Sequence, residues 1–344
     1  MDYKISVIIP CYNSEKTIQR AVDSIINQTL GFENIELLLY DDASTDDTKN
    51  LLMKYSKNYE NIITIFGFEN RGPGFGKNRC LEKSSGEYVL FLDSDDEYEK
   101  NMCDKLYSTA KSENADLVSS GVLRYDNINV SKRSLKYDAT KALKDTNDKI
   151  IFINNNVFYL DDHLATHCLF KLDIIKEKEV YFLETYYAED IYFKNIYRIY
   201  SKKSAYLKNY FGYIHHAYTD SITSHIDLND LNKIHEIQLK ILEELKKYDL
   251  DLDYIFRPHI VCSLIRLYAL NLIKAPKIDI INFLKKIRKF EIDINFNCNE
   301  SLLINILNSL VLKEKYNLAY IYLHFLKILY NSKILRKISR KVLK

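Results

Sequence analysis

The sequence predicts an α/β fold, a mostly parallel sheet with helices on both faces, followed by an all-helical C-terminal region. Three observations predict it. The first third alternates short β-branched runs with helical stripes, and the runs are continuously apolar, as strands buried on both faces are. Three of those runs end in polar clusters: Pro10-Cys11-Tyr12-Asn13, Asp41-Asp42-Ala43-Ser44 and Asp93-Ser94-Asp95-Asp96. After about His225 the strand signals stop, and apolar residues recur at helical spacing alone.

The elements follow in order. Ile5-Ser6-Val7-Ile8-Ile9 is a buried strand closed by Pro10, and Ile18, Ala21, Val22, Ile25 and Ile26 mark a helical face. Residues 35–40 form a second strand, with Ser44 placed as the N-cap of a helix running to about Tyr55. Further strands are read at 62–66, 88–92 and 116–119. Open α/β sheets bind ligands outside the carboxyl ends of their strands. Parallel strands would therefore bring the three polar clusters to one crevice. Leu231, Ile234, Ile237, Ile241 and Leu245 begin the helical region, and further helices are read around 256–274, 278–289, 301–313 and 316–344. The domain boundary is expected between 225 and 226, leaving each part enough chain for its own core.

Composition removes several classes. With 344 residues, 47% hydrophobic and 28% charged, the chain is globular rather than fibrous or disordered. Net charge is +2, so no global basic field points to nucleic acid. The cysteines at 11, 80, 103, 168, 262 and 298 form no C-x-x-C pair and read as reduced thiols of a cytoplasmic protein. The first apolar run, 5–10, is too short for a signal peptide, and the apolar-rich stretch 318–330 falls short of the roughly 20 residues that span a bilayer.

The strand end VLFLDSDDEY carries the chemistry. Asp93, Asp95 and Asp96 crowd together after four apolar residues, so each raises the others' pKa. A hard divalent cation, Mg²⁺ or Mn²⁺, relieves that repulsion, and such ions take one or two carboxylates plus substrate phosphates. A solvated acidic turn is the competing reading. The stretch Arg71-Gly72-Pro73-Gly74-Phe75-Gly76-Lys77 suggests a phosphate cradle but fails the P-loop template. It reads as a flexible loop over the crevice from which Lys77 reaches a nucleotide. His163 and His167 stand four apart without a third ligand and read as structural. His215-His216 gain interest only from Ser221-Ile222-Thr223 close behind.

The blocks KISVIIPCYNSEKTI, LLLYDDASTDDT, GEYVLFLDSDD and YYAEDIYF, spread in order over residues 4–193, resemble the family 2 glycosyltransferases of the GT-A fold. The resemblance implies an inverting, metal-dependent enzyme using a nucleotide-diphosphate sugar. It implies Pro10, Tyr12 and Asp42 at the nucleobase, usually uracil, and Asn70 and Lys77 at the nucleotide. Asp93 and Asp95 look like the family's Asp-X-Asp at the nucleotide, with Asp95 and Asp96 as metal candidates. Matching does not decide which carboxylate bonds metal and which the ribose. Two positions depart from the pattern. Lys77 stands where the family often has arginine, and loses the bidentate fork. Ala43 stands where it usually has glycine, which is tolerable unless the backbone there needs a positive φ.

Sugar transfer also needs a base for the acceptor hydroxyl. Glu189-Asp190, behind Tyr186 and Tyr187 and ahead of IYFKNIYRIY, is the candidate. The resemblance makes Asp190 the base and Glu189 its neighbour, orienting it or the acceptor. The competing reading is that two acids merely open a helix, where its dipole favours them.

The expected function is thus transfer of a sugar from a UDP-sugar to a cell-surface glycan such as a capsule or teichoic acid. A nucleotidyltransferase also gathers aspartates around a metal but needs no second acid site. A non-catalytic sugar-nucleotide or glycan-binding module is the alternative of another class. The helical region could bind acceptor, form homo-oligomers or touch membrane. No acid follows Glu314, and Ile334, Ile338 and Val342 share a face ringed by Lys333, Arg336, Lys337, Arg340, Lys341 and Lys344. Residues 331–344 therefore suit peripheral contact with an anionic inner membrane face.

Overall fold

The computed structural model describes residues 3–126, 149–153, 165–186, 189–217, 227–247, 275–293 and 302–331. Contacts divide the chain into two units, Met1–Thr219 and Asp220–Lys344. The expectations placed on His163, Tyr187, the 225/226 boundary, Ser221-Ile222-Thr223, the helix at 256–274 and the tail 332–344 lie outside the described residues.

In the first unit, β1 (Ile5–Cys11), β2 (Ile35–Asp41), β3 (Ile62–Phe66) and β4 (Tyr88–Phe91) pair in parallel in the order β3-β2-β1-β4. The chain leaves β1 on one side and returns on the other, so the order reverses between β1 and β4. A crevice opens at such a reversal. Pro10 helps to open it. Leu92 N–H donates to the Ile8 carbonyl, so Ile8 faces β4, and Pro10, two residues on, faces the same side after β4 has ended. A proline there removes no ladder bond.

The sheet continues β8-β6-β9-β5, with β7 on β9. These strands are β5 (Glu97–Tyr98), β6 (Leu117–Asp126), β7 (Lys149–Ile153), β8 (Cys168–Lys171) and β9 (Lys203–Ala217). This half is mixed. β8 runs antiparallel to both β4 and β6, while β6 and β9 are parallel with register shifts between Ser119 and Val122.

Side chains alternate across a strand, and each face of the sheet has its own cover. Ile5, Val7, Ile9, Leu37, Leu39 and Leu90 pack with α1 (Ile18–Ile26), Leu52 of α2 (Thr48–Asn58) and α4 (Met102–Glu113). On the other face Phe91 meets Phe170, Phe182 and Phe193 at ring separations of 5.9, 4.9 and 5.3 Å. That layer includes α3 (Pro73–Lys83), α5 (Leu172–Glu177) and α6 (Glu189–Tyr200).

Two expectations are corrected. Helix α2 begins at Thr48, and Ser44 does not cap it. Ala43 takes φ 59°, and the Ser44 hydroxyl instead accepts from the Asn13 N–H at 3.0 Å. The stretch 71–77 is no flexible loop, because Pro73 opens α3, where its fixed φ and missing N–H suit the first turn. Its glycines answer to packing. A Cβ on Gly74 would lie 2.1 Å from the Leu183 carbonyl, and one on Gly76 would lie 2.6 Å from the Tyr40 ring.

The second unit holds α7 (Leu228–Leu245), α8 (Lys277–Asp293), α9 (Leu302–Leu312) and α10 (Tyr316–Asn331). Leu231, Ile234, Ile237 and Ile241 of α7 are buried, as their spacing predicts. On α10, Ala319 and Leu323 are buried, while Leu318, Ile321, Phe325 and Ile328 are exposed. Among the described residues no helix is long and apolar enough to cross a membrane.

Candidate active site

The three strand-end clusters meet at the reversal between β1 and β4. After β1, Tyr12 is 48% exposed and Asn13 takes φ 48°. After β2, Asp42 is buried and accepts the Gly72 N–H at 2.7 Å and the Arg71 N–H at 3.0 Å. Burial, offset by those two backbone donors, leaves its carboxyl above the usual range. Asn70 joins the same knot through Gly72 N–H at 3.2 Å and the Tyr186 hydroxyl at 3.2 Å. The positive φ at Ala43 is the conformation that glycine would adopt freely, and an alanine there bears about 1–2 kcal/mol of steric cost.

After β4, the three aspartates have three environments. Both oxygens of buried Asp96 accept from the protein: from the Tyr213 hydroxyl, from His215 Nδ1 at 3.1 Å and from the His216 N–H at 2.7 Å. Asp96 therefore anchors the turn to β9. Asp93 is half-buried, and burial, with Asp96, Asp190 and Asp95 around it, pushes its carboxyl up to about 8 against the pull of Lys77. The Asp95 carbonyl accepts from Arg20, but no side chain among the described residues is hydrogen-bonded to its carboxylate. Burial and then the Asp96 charge hold that carboxyl above its ordinary value.

A divalent cation relieves crowded carboxyl oxygens, so Asp95, with Asp93 beside it, fits one. Among the described residues no three His, Cys, Asp or Glu side chains form a cage. The fit is therefore to a cation completed by ligand oxygens, as Mg²⁺ commonly is.

Opposite stands Glu189-Asp190 at the start of α6. Lys77 Nζ donates to Asp190 Oδ1 at 2.7 Å and to Glu189 Oε1 at 3.1 Å. The lysine side chain is 1% exposed. Burial alone would lower its pKa, but Asp190, Glu189 and Asp93 together raise it. Glu189 is pushed up by burial, with Lys77 pulling the other way. The segment carrying these acids is tied to α3 at several points. Asn78 Nδ2 donates to the Phe182 carbonyl and its Oδ1 accepts the Phe182 N–H, both at 2.9 Å. Arg71 pairs with Glu184 at 2.7 Å.

Of the site residues expected from the sequence, the structure joins Asp42 and Asn70 at Gly72, and Lys77, Asp93, Glu189 and Asp190 around one ammonium; Pro10 and Tyr12 stand at the end of β1, Asp95 beside Asp96, and Asp96 is turned to β9. It places Lys77 beneath the acids of α6 rather than in an open loop. Sequence reasoning missed Arg20, Asn78, Tyr213 and the role of His215. Arg20 and Tyr213 carry no local signal, and His215 is recognisable only once β9 lies beside β5. His216 bonds Glu97 at 2.8 Å and stacks on Tyr125, and His167 is buried.

Residues 6–168 match the family described as Glycosyl transferase family 2. A cholesterol galactosyltransferase of Borreliella burgdorferi is 31% identical over 258 residues, covering 71% of this chain and 68% of that one. The chain belongs to glycosyltransferase family 2. A poly(ribitol-phosphate) beta-glucosyltransferase of Bacillus spizizenii is 32% identical over 180 residues, 52% of this family 2 chain, which spans 27% of that relative's length. Among solved structures, S. aureus TarS 1–349 superimposes with a TM-score of 0.71 at 20% identity, over 93% of this chain and 90% of that one. The same TarS piece in complex with UDP-GlcNAc superimposes with a TM-score of 0.66. The fold is therefore the expected GT-A fold with a helical C-terminal region.

Replacing Asn78 by alanine strands the N–H and carbonyl of Phe182 in a buried setting. Each such group costs about 1–3 kcal/mol, so Asn78→Ala is expected to lower unfolding stability by about 2 kcal/mol or more. The shift of the denaturant midpoint checks this, and an unchanged midpoint contradicts it.

Proposed function

We propose that this chain is a metal-dependent inverting glycosyltransferase that moves a hexosyl group from a UDP-sugar to a hydroxyl of a cell-surface glycan, such as a teichoic acid or capsule. One observation carries the reading: Asp93 of the strand-end cluster and Asp190 of α6 act on the same buried ammonium, that of Lys77. The donor-side acids and an acid able to serve as base thus face one crevice. A nucleotidyltransferase would have no use for the second acid. The names of the relatives, which act on poly(ribitol phosphate) and cholesterol, support a hydroxyl acceptor of the cell envelope. The UDP-GlcNAc complex of TarS supports a uridine donor. The buried thiols of Cys11, Cys80, Cys103 and Cys168 suit a reducing, cytoplasmic setting.

Pro10, Tyr12, Asp42 and Asn70 line the nucleoside end, and Asp93 and Asp95 the diphosphate end. A cation held by Asp95 and its neighbours would supply Lewis acidity toward the departing diphosphate. Asp190 takes the proton from the acceptor hydroxyl as the new O–C bond forms at the anomeric carbon. The bond from that carbon to the diphosphate oxygen breaks, and its electron pair leaves with UDP. One displacement from the face opposite the leaving group inverts the anomeric centre.

The second unit has a separate proposal. Leu318, Ile321, Phe325 and Ile328 fall on one narrow face of α10, are exposed, and lie in a stretch with no acid after Glu314. An exposed apolar stripe joined to basic residues suits an anionic lipid surface.

Three outcomes are expected. Asp95→Ala leaves the melting temperature intact and abolishes the Mn²⁺-dependent part of UDP binding. Equal titration calorimetry with and without Mn²⁺ in the wild type removes the metal from the proposal. Asp190→Asn retains UDP-sugar binding but loses transfer by about 10²–10⁴-fold, as loss of a general base does; wild-type turnover would remove Asp190 from the mechanism. Finally, Phe325→Ser with Ile328→Ser should reduce co-sedimentation with phosphatidylglycerol vesicles without lowering the melting temperature. If that pair instead dissolves a dimer in sedimentation velocity and vesicle pelleting is unchanged, the stripe is an interface between copies.

A further inference from the structure

We infer that Lys77 is the positioning residue of the base and does not contact the nucleotide. Its ammonium pins one oxygen of Asp190 and leaves the other turned to an incoming hydroxyl. The inference rests on the proposed role of Asp190.

The geometry leaves Lys77 little else to do. Its side chain is 1% exposed, two of its three N–H donors go to Asp190 Oδ1 and Glu189 Oε1, and Nζ lies 5.0 Å over the Phe182 ring. A group so enclosed cannot swing toward a diphosphate without abandoning two carboxylates, and stranding buried charges is strongly unfavourable. The bond to Asp190 is one-sided. Lys77 takes Oδ1, and among the described residues no group donates to Oδ2. The carboxylate is thereby fixed in orientation with its second oxygen left for an incoming hydroxyl.

The charges around Asp190 explain why it needs this partner. Glu189 adjoins it on α6, Asp93 faces it from the end of β4, and Lys77 faces it from α3. Arg71 and Glu184 nearby neutralise each other at 2.7 Å. Without the ammonium, Asp190 would face two neighbouring acids with no donor among the described residues to hold its orientation. Lysine serves this role despite lacking arginine's fork, because a point charge can sit between two carboxylates from neighbouring residues.

The test uses the full chain with water as acceptor, following hydrolysis of UDP-glucose, UDP-galactose and UDP-GlcNAc and taking the fastest. Asp190→Asn is measured first, since wild-type hydrolysis in that variant defeats the base assignment itself, apart from any role of Lys77. In Lys77→Met, UDP affinity measured by calorimetry should be unchanged. Its kcat should fall about tenfold or more with KM for the donor unchanged. Lys77→Arg keeps a charged donor toward Asp190, so it should recover part of the lost kcat at unchanged UDP affinity. If Lys77→Met gives no cooperative melting transition, the arginine variant alone decides: a lowered kcat with wild-type UDP affinity supports the inference, and weakened UDP affinity overturns it. Weakened UDP binding in either variant, or wild-type kcat in Lys77→Met, overturns the inference.

Discussion

A buried ammonium has to be met by carboxylates, and in this protein that requirement joins two parts of the first unit far apart in sequence. Lys77 lies on α3, packed against the parallel half of the sheet, and its partners Glu189 and Asp190 stand more than a hundred residues later on α6. The antiparallel strand β8 sits beside β4 and delivers the chain to α5 and then to the 182–186 segment, which Asn78 holds by both backbone groups of Phe182. Under this joint the rings of Phe91, Phe170, Phe182 and Phe193 fill the space, with Phe182 and Phe193 stacked at 4.0 Å. An aromatic floor keeps water from the ammonium, which is why its pairing with the acids is firm.

The rest of the site depends on the same economy of polar groups. Asp42 has no lysine, so it is satisfied by backbone N–H groups of Arg71 and Gly72. Gly72 takes φ 86°, a conformation that aims its N–H inward and leads directly to Pro73 at the head of α3. The loop that meets Asp42 and the helix that carries Lys77 are therefore one continuous piece. The contact to Asp42 and the contact to Asp190 are thus joined by the first turns of α3.

Much of this was legible in the sequence, because strand ends announce themselves. The runs 5–9, 35–40, 62–66 and 88–92 are largely apolar and β-branched or aromatic, and polar clusters follow three of them. Glu189-Asp190 before an apolar helix was equally plain. What the sequence hid were features set by tertiary contacts. Gly72, Gly74 and Gly76 suggested a pliable loop, since glycine density usually means conformational freedom. Here the last two are small because Leu183 and Tyr40 press against them. Ser44 matched the preferences of a helix cap, but the positive φ of Ala43 turned it toward Asn13. The strand β9, KSAYLKNYFGYIHHA, mixes polar and apolar residues because it pairs with three others in two orientations, so no simple period marks it.

The division of labour among Asp93, Asp95 and Asp96 follows from charge balance. Asp96 is neutralised by donors on β9, so the turn can fold around it as a fixed point. Asp93, Glu189 and Asp190 already share one ammonium, and the Arg71 guanidinium is engaged with Glu184. Asp95 adds a further carboxylate without a bonded donor among the described residues. Several acids thus crowd the crevice before any ligand arrives, and a nucleoside diphosphate would bring more negative charge to it. On the proposed reading, a divalent ion arriving with such a ligand would offset that charge, so donor and ion would bind together. Releasing Lys77 to a phosphate would leave Asp190 and Glu189 without the ammonium that both accept from.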